Sequence, residues 1–146
     1  MKYYYTYNEF IKDLNSLTLP PFDALVAIAR GGMTIAHFLA ERYETREVYT
    51  INAISYENEK KLGKPKIFNI PDLKGKKRVI LIDDISDSGE TFIEVRKKLQ
   101  EIYPNLEILT LAIFYKEKTA LIPDIVLHKT DKWIVFFWDK EGQKFN

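Results

Sequence analysis

The sequence VILIDDISDSGET, residues 79–91, contains the features that decide the fold of this chain. It begins with four apolar residues, and such a short continuous apolar run is typical of a buried parallel strand. Two acidic residues, Asp83 and Asp84, follow where that strand ends, which is the edge at which open α/β sheets bind ligands. Residues 87–91 then place small and hydroxyl side chains around Gly89, before a predicted helix. The segment therefore predicts a strand, a ligand-binding loop and a helix in succession.

The chemistry of this loop favours a sugar phosphate bound together with a metal. Backbone amides at a helix N-terminus, with nearby hydroxyls, are suited to holding a phosphate. The carboxylates of Asp83 and Asp84 accept hydrogen bonds from ribose hydroxyls and can hold Mg²⁺ directly or through water. A loop built only for phosphate would gain nothing from three aspartates, because their charge repels it. A bare DSGE turn is more often an ordinary helix cap, but the whole arrangement favours a binding site.

Strands and helices alternate along the rest of the chain. Thr6 and Glu9 have the spacing of a capping box at the start of the first helix. Helices are predicted over residues 7–17, 33–43 and 90–103, and strands over Ala24–Ala29, 47–54, Arg78–Ile82, 106–114, 124–127 and 133–138. This order predicts an α/β fold with a mostly parallel sheet and helices on both faces. Residues 55–66 are polar and are predicted to form a mobile loop.

Bulk composition excludes several classes of protein. With 146 residues the chain fits one domain, 1–146. Its 22 basic and 21 acidic residues argue against non-specific nucleic-acid binding, and the absence of cysteine excludes disulfides and thiolate zinc sites. The N-terminus lacks a signal-peptide stretch, and no apolar run approaches the ~20 residues that span a bilayer. We therefore expect a soluble cytoplasmic protein without an integral membrane segment.

A second glycine turn supports the binding site. Arg30, Gly31 and Gly32 follow the first predicted strand, although two glycines explain a tight turn equally well. Together with residues 79–91 they resemble the type I phosphoribosyltransferases, whose signature is an apolar strand, an acidic pair and an acidic–small–Gly–x–Thr loop. The resemblance covers nearly the whole chain. It implies a Rossmann-like sheet flanked by helices (the type I phosphoribosyltransferase fold), with a small C-terminal hood region over the acceptor base.

The resemblance also implies a binding site for phosphoribosyl pyrophosphate with Mg²⁺ as cofactor. Asp83 and Asp84 would meet the ribose hydroxyls and the metal, with Asp84 as the metal ligand. Arg30 and Gly31 would contact the pyrophosphate. The other residues that the resemblance implies as contacts of phosphoribosyl pyrophosphate are Ile85, Ser86, Asp87, Ser88, Gly89, Glu90 and Thr91.

The C-terminal third resembles the base site of the 6-oxopurine enzymes. There Lys116 would donate to O6, Trp133 would stack on the ring, and backbone carbonyls near Ile134 and Asp139 would read the N1 and C2 edge. Asp87 would assist deprotonation at N7, which makes it a catalytic candidate beside Asp83 and Asp84. Phe136 and Phe137 are expected to be core or interface residues.

The chain most resembles bacterial xanthine–guanine phosphoribosyltransferases. This implies a purine salvage enzyme that acts on guanine and xanthine, with hypoxanthine as a further acceptor, and that assembles as a homodimer or homotetramer. The exposed aromatics of residues 3–5 could serve an interface or could pack on the sheet. Residues 54–66 resemble a flexible lid in which either Lys60 or Lys61 could reach the pyrophosphate.

Three other interpretations stay open at this point. The first is a regulator of the same fold that senses phosphoribosyl pyrophosphate and binds RNA or DNA, although near-zero net charge counts against it. The second is a hypoxanthine–guanine enzyme that ignores xanthine. The third is a non-catalytic Rossmann-like domain.

Overall fold

The computed structural model describes residues 1–55 and 64–144. The helices are α1 (Tyr7–Asn15), α2 (Met33–Arg42), α3 (Glu90–Ile102) and α4 (Lys140–Gln143). The strands are β1 (Lys2–Tyr5), β2 (Ala24–Ala29), β3 (Val48–Ile54), β4 (Lys66–Phe68), β5 (Arg78–Ile82), β6 (Ile85–Ser86), β7 (Glu107–Lys116), β8 (Ile125–Thr130) and β9 (Trp133–Phe136). No helix in these ranges is long and apolar enough to cross a membrane.

The central sheet is mostly parallel, as predicted. Among the described strands its order is β4-β3-β2-β5-β7, and both β6 and β8 pair with β7. The β3–β4 pair is antiparallel, and the other pairs of this sheet are parallel. β2 and β5 lie side by side, so the loops that follow them leave the sheet at the same edge.

Alternating residues of the central strands bury both faces of the sheet. Leu25 and Ala27 of β2 belong to the cluster that includes residues of α1 and α2, whereas Val26 and Ile28 pack in the cluster that includes α3. This two-sided burial explains why β2 and β5 are apolar without alternation. The prediction of helices on both faces is confirmed.

Several element boundaries differ from the prediction. α1 ends at Asn15 rather than 17, because Ser16 caps the helix and its hydroxyl donates to the Asp13 carbonyl oxygen at 2.6 Å. β9 ends at Phe136 rather than 138, because the Asp139 carboxylate accepts from the Phe136 amide at 2.9 Å and turns the chain. β7 extends to Lys116 and β8 to Thr130, since the two strands stay paired up to those residues.

Short elements were absent from the prediction. β4 begins at Lys66, the last residue of the segment predicted as a mobile loop, and Lys66 pairs with Ile54 of β3. Residues 56–63 of that segment lie outside the described residues. β1 pairs in parallel with β9 and forms a separate two-stranded sheet. Its Tyr5 is 2% exposed and Tyr4 is 52% exposed. Tyr5 therefore packs into the core, which is one of the two alternatives left open for residues 3–5.

Candidate active site

The acidic pair lies at the carboxyl end of the central strand β5. The Asp83 amide donates to the Leu111 carbonyl oxygen at 3.0 Å, and the Asp84 carbonyl oxygen accepts from the Ile113 amide at 3.1 Å. These bonds continue the β5–β7 pairing through both aspartates and into β6. The two side chains are consequently held by a backbone that is fixed on the sheet.

Burial disfavours charge on both carboxyl groups of this pair, and repulsion by Asp84 adds to the effect on Asp83. Burial and the adjacent Asp84 carboxylate raise the pKa of Asp83 well above its usual value, and burial raises the pKa of Asp84 as well. One Asp83 oxygen accepts from the Asp84 amide at 2.9 Å, and one Asp84 oxygen accepts from the Ile85 amide at 2.8 Å. Bound hydroxyl donors or a cation would favour the ionised forms of the carboxyl groups.

The glycine turn after β2 lies directly against this pair. A Cβ atom placed on Gly31 would be 2.6 Å from Asp83 Oδ1 and 2.7 Å from Asp84 Oδ1, so any side chain at this position would collide with the carboxylates. Arg30 is exposed at the edge of the same site, and the Ala29–Arg30 peptide bond is cis. The structure thus brings together the two motifs that the sequence separates by about fifty residues.

The predicted phosphate loop, residues 87–91, leads into the N-terminus of α3. Gly89 is the N-cap residue, with φ of 87°, and it has no side chain that could cap the helix. Ser88 is exposed, and its hydroxyl accepts from the Glu90 amide at 3.1 Å. Backbone amides and a helix N-terminus at one point form an environment that suits an anion.

Ser86, the last residue of β6, has a structural position directly before this loop. Its side chain is buried, with 2% exposure, and its hydroxyl donates to the Leu121 carbonyl oxygen at 2.7 Å. The Ser86 Oγ atom also lies 2.9 Å from Thr119 Oγ1. The Ser86 hydroxyl is therefore hydrogen-bonded to the segment after β7. A contact from this residue to phosphoribosyl pyrophosphate stays a prediction.

A cavity of about 200 Å³ adjoins the acidic pair. The β6–β7 register pairs Ser86 with Tyr115, which places Asp87 beside Lys116 with 3.9 Å between Oδ1 and Nζ. Trp133, 64% exposed, forms part of the wall. The lining residues are Asp84, Ile85, Asp87, Lys116, Lys132, Trp133, Ile134, Phe136 and Asp139. The four residues predicted to bind the base thus share one cavity.

A larger cavity, of about 590 Å³, lies beyond Lys132 and is lined by Tyr3, Glu9, His128 and their neighbours. It contacts neither the acidic pair nor Asp87 in the described part of the chain. A third cavity, of about 650 Å³ and lined by Tyr7, Phe137 and Gly142 among others, is larger still. Size alone would favour these two, but the convergence of carboxylates, a lysine and an exposed indole favours the smaller cavity beside the acidic pair. We therefore take the smaller cavity as the candidate active site.

Some residues of the site were missing from the sequence-based set. Lys132 lines the cavity immediately before Trp133, and its position next to that aromatic residue was the available signal. Asp139 lines the cavity too, as expected from the backbone contact predicted near it. Phe136 is buried, as predicted for a core residue, yet it also reaches the cavity. Lys60 and Lys61 lie outside the described residues.

The donor set suits Mg²⁺ better than a transition metal. No group of three or more His, Cys, Asp or Glu side chains within residues 1–55 and 64–144 is arranged to hold a metal. The adjacent carboxylates of Asp83 and Asp84 provide hard oxygen donors. Mg²⁺ is commonly held by one or two carboxylates, with substrate phosphates and water completing its coordination. The site fits a metal that arrives with a phosphorylated substrate.

Comparisons with known proteins point to one family. The family described as "Phosphoribosyl transferase domain" matches residues 8–143. A xanthine-guanine phosphoribosyltransferase of Nitratidesulfovibrio vulgaris is 30% identical over 125 residues, which are 84% of this chain and 72% of that protein. The structure of a Helicobacter pylori xanthine-guanine-hypoxanthine phosphoribosyltransferase has a TM-score of 0.89 and 35% identity, covering 99% of this chain and 97% of that chain. A purine phosphoribosyltransferase from Pyrococcus horikoshii has a TM-score of 0.78 and 29% identity, covering 94% and 93%.

Proposed function

The chain belongs to the phosphoribosyltransferase family and is therefore a glycosyltransferase, and from that premise we propose that it transfers the 5-phosphoribosyl group of phosphoribosyl pyrophosphate to a 6-oxopurine. Guanine and xanthine are the proposed acceptors, with hypoxanthine as a third. The products are the nucleoside 5′-monophosphate and pyrophosphate. The observation that carries this proposal is the cavity that places Lys116, Asp87 and Trp133 against the acidic pair.

The arrangement of the cavity favours a 6-oxopurine over adenine. Lys116 offers only hydrogen-bond donors, which suit the O6 acceptor of guanine, xanthine and hypoxanthine. The 6-amino group of adenine is a donor and would face the ammonium group without a partner. Trp133 has an exposed ring that can stack on a planar base. We assign Lys116, Trp133, Ile134 and Asp87 to base binding.

Phosphoribosyl pyrophosphate, the donor of the phosphoribosyl group, binds at the edge of the sheet where the loops after β2 and β5 lie. Asp83 and Asp84 accept hydrogen bonds from the ribose hydroxyls, the α3 N-terminus binds the 5′-phosphate, and Arg30 with Gly31 binds the pyrophosphate. Asp84 would hold Mg²⁺, which would supply positive charge to neutralise the pyrophosphate. Burial disfavours the ionised forms of Asp83 and Asp84. This proposal gives each of these two carboxyl groups a binding partner.

The chemistry is a displacement at C1′. The base nitrogen forms its bond to C1′ as the C1′–O bond to pyrophosphate breaks, and the pyrophosphate leaves with the bonding electrons. Asp87 accepts the proton that the imidazole ring of the base loses. Asp83 and Asp84 hold the ribose in place during the displacement. Because no covalent nucleophile is needed, positioning and electrostatics supply the rate enhancement.

A spectrophotometric assay tests the function. The protein is incubated with phosphoribosyl pyrophosphate, Mg²⁺ and either guanine, xanthine, hypoxanthine or adenine. We expect turnover with the 6-oxopurines and none with adenine. Activity with adenine alone, or with none of the four, would overturn the proposal.

A matched pair of lysine variants sharpens the acceptor assignment. Lys116→Met removes the donor to O6, so we expect the KM for guanine to rise on the order of tenfold or more. Lys118→Met makes the same change at an exposed lysine two residues along the chain, and it should leave that KM unchanged. Equal KM values for the two variants would remove Lys116 from the base site.

The homodimer or homotetramer that the family resemblance implies is tested by light scattering after size exclusion.

A further inference from the structure

A short segment after β7 lies across the phosphate loop. We call residues 117–121 the brace. The Ala120 amide of the brace donates to the Ser88 carbonyl oxygen at 2.8 Å. A Cβ atom on Gly89 would be 2.7 Å from the Leu121 amide nitrogen and 2.8 Å from Thr119 Oγ1. The brace therefore touches the phosphate loop at consecutive residues and occupies the space that a side chain at Gly89 would need.

Thr119 is the residue of the brace whose side chain makes this contact. Its Oγ1 atom lies 2.9 Å from Ser86 Oγ and accepts from the Leu121 amide at 3.3 Å. Ser86 Oγ in turn donates to the Leu121 carbonyl oxygen at 2.7 Å. The hydrogen bonds form a closed ring through the Thr119 hydroxyl of the brace and the Ser86 hydroxyl at the end of β6, directly before the phosphate loop. Since Ser86 is buried, water is a poor substitute for the Thr119 hydroxyl there.

The brace is also fastened to the base side of the site. The Thr119 amide donates to the Lys116 carbonyl oxygen at 3.0 Å, which closes a turn at the end of β7. Lys116 lines the base cavity, and its ammonium group lies 3.9 Å from the Asp87 carboxylate. Thr119 consequently contacts the backbone that carries Lys116 and the loop that carries Asp87.

We propose that Thr119 is a positioning residue whose hydroxyl holds the phosphate loop and the Lys116 turn in one fixed arrangement. Binding of the 5′-phosphate and binding of the base then depend on the same hydrogen bond. This inference rests on the proposed function, because it assumes that the phosphate loop and the cavity serve two substrates of one reaction. Thr119 itself contacts neither substrate.

Kinetics of Thr119→Val test the proposal. Valine keeps the shape of the side chain and removes the hydroxyl, so we expect the KM values for phosphoribosyl pyrophosphate and for guanine to rise together, each on the order of tenfold. Thr119→Ser keeps the hydroxyl and should retain wild-type KM values. Thr110→Val is the matched control, since Thr110 is buried and pairs with Asp124 at 3.1 Å on β7. It should lower the melting temperature and leave both KM values unchanged.

The possible outcomes separate a positioning role from a structural one. If Thr119→Val lowers only the melting temperature, as expected for Thr110→Val, or only the apparent kcat, the proposal is wrong. A rise in only one of the two KM values would also refute it. Should Thr119→Val fail to fold, Ser86→Ala removes the same contact from the loop side, and unchanged KM values there would overturn the proposal. A wild-type protein without turnover would overturn the proposed function and this inference together, whereas an active wild type with unaffected variants would overturn this inference alone.

Discussion

Asp87 differs in environment from the acidic pair that precedes it by only a few residues. Asp83 and Asp84 are partly buried, and burial raises the pKa of each. The Asp87 side chain is 67% exposed and lies 3.9 Å from the Lys116 ammonium group. The pair is thus suited to bind hydroxyl groups and a cation, whereas Asp87 is placed to accept a proton in the base cavity.

Replacement of Asp87 should separate catalysis from donor binding. For Asp87→Ala we expect kcat to fall by about 10²–10⁴, the usual contribution of a general base, while the KM for phosphoribosyl pyrophosphate stays near its wild-type value. Steady-state kinetics with guanine measure both quantities. Glu101→Ala removes an exposed carboxylate near the far end of α3 and should leave kcat unchanged. Near-wild-type turnover of Asp87→Ala would refute the proposed role.

The pKa of Asp83 predicts how stability depends on pH. Because the pKa in the folded protein is raised above the reference value of 3.8, its contribution to stability is present below that value and is lost as pH rises through the folded pKa. Asp83→Asn keeps the acceptor for the Asp84 amide and cannot ionise. Without ligands, we expect the variant to melt at a higher temperature than wild type at pH 7, with the difference shrinking towards pH 4.

Thermal melts across this pH range provide the test. Asp131→Asn changes an exposed carboxylate outside the acidic pair and should show no comparable gain at pH 7. The same measurement with Asp83→Asn should be paired with an activity assay, which we expect to show no detectable turnover, since the ribose would lose a carboxylate partner. If Asp83→Asn is no more stable than wild type at pH 7, the inference that the ionised Asp83 side chain destabilises the folded protein is wrong.

At the scale of elements, the phosphate loop depends on one glycine at the start of α3. Gly89 combines a positive φ, which side chains rarely adopt, with a close approach by the brace. Gly75 has a similar φ of 84°, but a Cβ atom placed there would have no atom of the described residues within 4 Å. A comparison of substitutions at the two glycines therefore separates the cost of a positive φ from the cost of a steric collision.

Alanine substitutions at these glycines should differ in cost. Gly75→Ala should lower the free energy of unfolding by about 1–2 kcal/mol, the penalty of a left-handed conformation. Gly89→Ala should cost about 1–3 kcal/mol more, because the added carbon collides with the backbone of the brace. Urea denaturation measures both values. Only Gly89→Ala should raise the KM for phosphoribosyl pyrophosphate, and equal effects of the two variants would show that the collision is relieved without cost.

At the scale of the whole molecule, the N-terminal strand joins β9, the strand with the proposed base contacts, to the core. β1 pairs with β9, which carries Trp133 and Ile134. The ring of Tyr5 packs against Phe114 and Phe136, with ring centroids 5.2 Å and 5.7 Å away. The wall of the base cavity is therefore supported by the first residues of the chain.

Adjacent tyrosines of β1 should respond very differently to truncation. Tyr5→Ala should lower the free energy of unfolding by about 3–5 kcal/mol, as expected when a buried aromatic ring is removed. Tyr4 faces the other side of the strand, and its hydroxyl donates to exposed Glu141 at 2.7 Å. Tyr4→Ala should cost about 1 kcal/mol or less. Comparable losses in urea denaturation would mean that β1 does not anchor β9 through Tyr5.

Local sequence determined the donor half of the site. An apolar run, an acidic pair and a glycine before a helix are adjacent in the chain, and each favours its own conformation through short-range sterics and burial. Residues 79–91 therefore predicted the end of β5, the loop after it and the start of α3 correctly, and the binding of a phosphate by that loop stays a prediction. The assignments of Arg30, Gly31 and the individual loop contacts stay predictions, but Gly31 does lie against the carboxylates that it was expected to neighbour.

Tertiary structure alone decided how the base half is assembled. Lys116 reaches Asp87 through the β6–β7 register, and Trp133 reaches the cavity on a strand that is paired with β1. The resemblance to a family suggested these residues, but no local pattern indicated that β1 supports them or that Thr119 contacts Ser86. Such contacts join residues far apart in the chain, and their geometry depends on which faces the whole sheet buries. The sequence by itself thus determined the strand and loop that would hold a ribose phosphate, and the packing of distant strands determined what lies beside it.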